Sequence, residues 1–167
     1  MRYICVACLT FAWAASLCLA APATPPPARE MDLRFDRLAS ALTLLNDSDR
    51  MIVDQAVQLI KQGENVGALA RLSSLANSNP ENSSLRILMA YVQLQLGNLT
   101  GAFDQAKKAH DAPNGNSYRC YFLAKIAFLT GDRVTCRREL EHVKNAGDMP
   151  EAVHELQKDL KQTKTKS

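Results

Sequence analysis

Three glycines, Gly63, Gly97 and Gly131, stand 34 residues apart, and their surroundings repeat with them. Each is followed by an acidic or amide residue, Glu64, Asn98 and Asp132. Ala56, Ala90 and Ala124 lie seven residues before the glycines, and Ala68, Ala102 and Cys136 lie five after. The correspondence continues through Leu72, Ala106 and Leu140 to Leu75, Ala109 and Val143, and the units close near Pro80, Pro113 and Pro150. A glycine between two apolar-periodic segments lets the backbone take a positive φ and turn tightly. Small residues at the flanking positions let two antiparallel helices approach closely. One such hairpin cannot bury its own apolar stripe, so neighbouring units must stack.

Elsewhere the chain is patterned for helix. Leu38, Leu42 and Leu45, and then Val53, Val57 and Ile60, recur at helical spacing, and no segment alternates in the way of a strand. The spacing predicts an N-terminal capping helix over 32–47, stopped by Asn46-Asp47-Ser48-Asp49. Through Leu38, Leu42 and Leu45 it is expected to lie over the first hairpin. Three repeats follow over 48–148, about 49–82, 83–116 and 117–150. Residues 149–167 form a C-terminal capping helix, opened by Pro150 and striped by Val153, Leu156 and Leu160, with a basic tail. The expected fold is all-α, an α-solenoid of three hairpins with a capping helix at each end, eight helices in total.

The 34-residue period and the alanine–glycine–small-residue grammar resemble the tetratricopeptide repeat family, over about Asp49 to Met149. The chain departs from that family in its aromatics. Ile52, Arg86 and Cys120 occupy the position of a common tryptophan, and Leu59, Gln93 and Ala127 that of a tyrosine. The resemblance implies that the first helix of each hairpin lines a concave groove for a protein or peptide. Carried onto this sequence, its partner-binding positions are Val53, Val57, Ile87, Tyr91, Leu94, Tyr121, Phe122, Lys125 and Phe128, beside Asp54, Ile60 and Leu88. It makes Ala56, Gly63, Ala68, Ala90, Gly97, Ala102, Ala124, Gly131 and Cys136 the repeat-packing set. The lysine, asparagine and arginine with which chaperone-binding members hold a peptide carboxylate are missing. An apolar, partly aromatic groove suits an apolar helix or an extended segment.

The N-terminus bears on the compartment. Arg2 is the only charge before Arg29, an apolar run extends from Tyr3 to Leu19, and small residues lead into Pro25-Pro26-Pro27. These are the parts of a secretory signal peptide, expected over 1–23 with cleavage after Ala20 or Ala23, followed by a proline-rich linker over 24–31. An uncleaved membrane anchor is the alternative, since about 20 apolar residues span a bilayer. The run is slightly short for that and its exit is proline-rich. Export to the periplasm or beyond is therefore the expectation, with a membrane partner only if the segment stays attached. The chain carries 20 basic residues, Arg2 among them, against 17 acidic ones. That balance gives no reason to expect nucleic acid. Cys5, Cys8 and Cys18 fall in the leader, leaving Cys120 and Cys136, which the sequence leaves open as a disulfide or as two small apolar residues.

No metal-ligand motif, phosphate-cradling loop or catalytic constellation is legible. His110, His142 and His154 are not paired at ligand spacing and are expected on solvated helix surfaces. Carboxylates are scattered, so no catalytic, cofactor-binding, metal or small-molecule site is expected. Asn46-Asp47-Ser48, Asn82-Ser83-Ser84 and Asn98-Leu99-Thr100 match the N-glycosylation pattern. The functional expectation is an exported, non-enzymatic scaffold that binds one protein partner, assisting assembly of an envelope, pilus or secretion complex. The alternative is a chaperone holding an apolar secreted subunit, similar to small three-repeat secretion chaperones.

Overall fold

The computed structural model describes Arg37, Leu38, Leu42 and residues 45–113, 116–147 and 149–162. Seven helices occupy this span: α1 (Asp47–Gln62), α2 (Asn65–Ser78), α3 (Ser83–Gln95), α4 (Leu99–Asp111), α5 (Ser117–Leu129), α6 (Arg133–Asn145) and α7 (Pro150–Gln162). There is no strand among the described residues. The described residues form an all-α solenoid. α1 pairs with α2, α3 with α4 and α5 with α6, and the hairpins join through α2 on α3 and α4 on α5. First helices also touch across the stack, α3 on α5 and α5 on α7, so these three lie in one layer.

Local chemistry sets the register. Gly63, Gly97 and Gly131 have φ of 80°, 76° and 83°, the left-handed conformation that ends a helix without a Cβ penalty. The Gly63 N–H donates to Ile60 O at 3.0 Å and the Glu64 N–H to Leu59 O at 2.9 Å, closing the end of α1. The same bonds recur one repeat later, from Gly97 to Leu94 O and from Asn98 to Gln93 O. Second helices then begin at Asn65, Leu99 and Arg133, 34 residues apart.

Side-chain caps start most helices. Asn46 accepts from the Asp49 N–H at 2.8 Å, Asn82 from Leu85, Asn98 from Gly101 and Asp132 from Thr135. Each such cap is worth about 1 kcal/mol. The asparagines of all three glycosylation-type triplets are thus helix N-caps, which gives those triplets a folding role of their own.

Packing follows the repeat. Ala56, Ala68, Ala90, Ala102, Ala124 and Cys136 have no exposed surface. One apolar cluster runs from Leu38 to Ile126, and a second gathers Ala124, Cys136, Leu140 and Val143 with the α7 stripe of Val153, Leu156 and Leu160. α7 begins at Pro150 and packs on both α6 and α5, taking the place that the first helix of a fourth hairpin would occupy.

The leader, the linker and most of the helix expected over 32–47 lie outside the described residues, as do the last five residues of the basic tail. Arg37, Leu38 and Leu42 are helical, and Leu38 and Leu45 are buried in the first cluster. Their bonds carry the segment beyond the first hairpin, over which it was expected to lie. Leu38 O accepts from the buried Ser84 hydroxyl of α3 at 3.1 Å, and Arg37 O accepts from Asn116 Nδ2, just before α5, at 2.9 Å. At the start of α3 this contact gives the buried Ser84 hydroxyl the acceptor that a buried donor requires.

Candidate functional site

The layer of first helices holds the residues expected to bind a partner, and burial divides them. Val53, Ile87 and Leu94 are each 2% exposed and Phe122 is fully buried, so these four are core and present no surface. Leu88 is buried with them. The reason is position in the stack: α3 is flanked by a hairpin on each side and buries nine of its residues. Val57, Tyr91 and Lys125 behave differently. They are equivalent positions of the three repeats, 34 residues apart, and all three are half-buried. Ile60, Tyr121 and Phe128 are also half-buried, and Asp54 is exposed. Tyr118, one turn before Tyr121 and Phe122, is buried and packs its ring on both, stacked on Tyr121 at 6.4 Å between ring centres and edge-on to Phe122 at 6.0 Å. Val57, Tyr91 and Tyr121 each lay one side against the core and leave another open, as an aromatic or apolar anchor for a partner must.

A second constellation lies where three helices meet, and it was not legible in the spacing. His110 near the end of α4, Cys120 in α5 and Glu139 in α6 place a ring nitrogen, a thiol sulfur and a carboxylate oxygen within 4.8 Å of one another. Glu139 is 1% exposed. Its Oε1 accepts from Arg138 Nε at 2.8 Å. Its Oε2 lies 3.0 Å from His110 Nε2, an ion-pair contact when the ring is protonated, and accepts no hydrogen bond. On the other side of the ring, His110 Nδ1 lies 3.0 Å from Asp111 Oδ1. His110 is therefore half-buried with a carboxylate beside each ring nitrogen, whereas His142 and His154 are exposed as expected. Burial raises the Cys120 thiol above its usual range, and the Glu139 carboxylate raises it further, with Arg119 acting in the opposite sense. Arg119 itself is anchored on Ala112 O.

Cys120 and Cys136 are free thiols. Cys136 points into the second apolar cluster, and burial pushes its thiol up to about 11. Cys120 meets Glu139, one helical turn beyond Cys136, so the two sulfurs serve different surroundings.

The repeat explains how the three-helix cluster arises. His110, Cys120 and Glu139 are the residues 34 positions after Ala76, Arg86 and Gln105. In that earlier junction the guanidinium of Arg86 spans the space, donating to Gln105 Oε1 at 3.2 Å and to Ala76 O at 3.3 Å. In the later one a short cysteine replaces the arginine, while a histidine and a buried carboxylate converge on the same place.

No known family model matches the chain, and no curated protein matches it in sequence.

Proposed function

We propose that this protein is an exported, tetratricopeptide-type scaffold that binds an apolar helix or extended segment of one protein partner along its layer of first helices. The observation that carries the reading is the row Val57, Tyr91 and Lys125, one residue per repeat and each half-buried. Tyr121 and Phe128 widen it at the third repeat. Residues that rest on the core while keeping one face open can be buried again by a partner without unfolding anything. Tyrosine suits this role because its ring gives area and its hydroxyl keeps a polar tip. The signal-peptide-like run from Tyr3 to Leu19 supports export, and assembly of an envelope, pilus or secretion complex is the setting such an adaptor fits.

The test is affinity capture by the tagged protein in its own cell envelope. The unaltered chain is expected to recover one principal partner, and Tyr91→Ala with Tyr121→Ala to lose it while keeping its helical circular dichroism. Undiminished recovery by that folded double variant would remove the first-helix row from the account.

A further inference from the structure

We infer that His110, Cys120 and Glu139 form a binding site for a borderline-soft divalent cation of the Zn2+ class, with water at the fourth position. The buried Oε2 of Glu139, which no hydrogen bond satisfies, points to a cation first. A carboxylate oxygen buried without a donor costs free energy until something positive meets it, and this one belongs to a residue only 1% exposed. When Nδ1–H of His110 donates to Asp111, Nε2 is left as an acceptor, and it stands 3.0 Å from the acceptor Oε2 of Glu139. Two acceptors at that distance call for a proton or a metal ion between them. A proton would join only those two atoms. The sulfur of Cys120 converges on the same point, which makes three donors of the kinds zinc accepts.

The dimensions agree. Bonds of about 2.0–2.3 Å in a tetrahedron separate ligand atoms by about 3.3–3.8 Å. The three atoms here, all within 4.8 Å of one another, reach that spacing by side-chain movements of under about 1 Å. The charges agree as well. A thiolate and a carboxylate neutralise a divalent ion, leaving no net charge at a partly buried place. On binding, the Cys120 S–H bond breaks, the sulfur bonds the metal and one proton leaves to solvent. The pairing of Asp111 with Nδ1 is the carboxylate–histidine–metal arrangement that fixes the ring and raises its basicity.

The neighbouring repeat supplies an independent argument. Where Cys120 stands, the preceding junction has Arg86, whose guanidinium supplies a cation and bonds the residues equivalent to His110 and Glu139. The third junction has lost that built-in cation and gained a carboxylate. Arg138 reaches only Oε1, so the positive charge that Oε2 calls for is left to the His110 side of the junction, where a metal ion can also engage Cys120.

Titration of the chelator-treated full-length chain with Co2+ reads out the site directly, since thiolate ligation gives near-ultraviolet charge transfer and tetrahedral geometry gives visible absorption. One Co2+ per chain with both signals is expected, displaced by Zn2+. The signals should persist in Cys136→Ala, which installs the residue of the other repeats, and in the Cys5→Ser/Cys8→Ser/Cys18→Ser chain. They should vanish in Cys120→Ser. A chain carrying His110→Ala, Cys120→Arg and Glu139→Gln copies the Arg86 junction. It should remain helical, bind no Co2+ and gain no thermal midpoint from Zn2+, whereas the unaltered chain gains several degrees. Absence of a thiolate band in the unaltered chain, or a band that survives Cys120→Ser, overturns the proposal.

Discussion

Two glycines four residues apart should respond to alanine with opposite signs. Gly63 sits at φ 80°, and a Cβ built there meets nothing within 4 Å. Alanine at this position therefore tests backbone conformation alone. The left-handed region costs an L-residue roughly 1–2 kcal/mol, and the smaller freedom of alanine in the unfolded chain returns about 0.4–1 kcal/mol. The net expectation for Gly63→Ala is a loss of about 0.8 kcal/mol, and at most about 1.6 kcal/mol. Gly67 lies within α2, and a Cβ there meets only Leu59 Cδ1 at 3.5 Å, an ordinary van der Waals contact. Glycine in a helix is worse than alanine by roughly 0.5–1 kcal/mol, so Gly67→Ala should stabilise by that amount. Urea unfolding followed by circular dichroism separates the two, with the denaturant slope unchanged and the midpoints moving in opposite directions. If both substitutions stabilise, the left-handed turn after α1 is absent, and with it the physical basis of the 34-residue register.

Asp132→Ala should cost about 1 kcal/mol at neutral pH through loss of the α6 N-cap. Hydrogen bonds from the Thr135 side chain and N–H hold the Asp132 carboxyl below its ordinary value. The stability this adds is present above the unfolded-state pKa and lost as pH falls through the folded value. Urea midpoints of the two proteins should therefore converge in acid, and a gap that stays constant refutes the assignment. Cys136 has no exposed surface, and its thiol is pushed up to about 11. About one thiol in a thousand is then ionised at pH 8, and iodoacetamide labelling followed by peptide mapping should be at least about a hundredfold slower in the folded chain than in urea. Equal rates would place Cys136 at the surface.

Whatever depends on local chemistry and spacing was legible along the chain. Gly63, Gly97 and Gly131 stop helices because no side chain has to fit a positive φ, and Pro150 opens the last helix because its missing N–H is not needed there. Alanine-sized residues at fixed offsets gave the hairpins, and the stripe of Val153, Leu156 and Leu160 gave the closing helix. These are one-dimensional signals, legible within a turn or two of chain. Tertiary structure decided which first-helix residues keep a surface. Val53 and Val57 are equally apolar, and only the packing of neighbouring units made one of them core and left the other half-open. It also decided that Leu38 bonds the second hairpin and Arg37 the start of the third, across separations of 46 and 79 residues. The meeting of His110, Cys120 and Glu139 belongs to the same category, since three helices supply one donor each. A signal for it did exist: aligning the third repeat with the second sets Cys120 on Arg86 and Glu139 on Gln105. What that alignment lacked was the knowledge that those positions converge in space, which arises only when each hairpin buries its apolar stripe against the next.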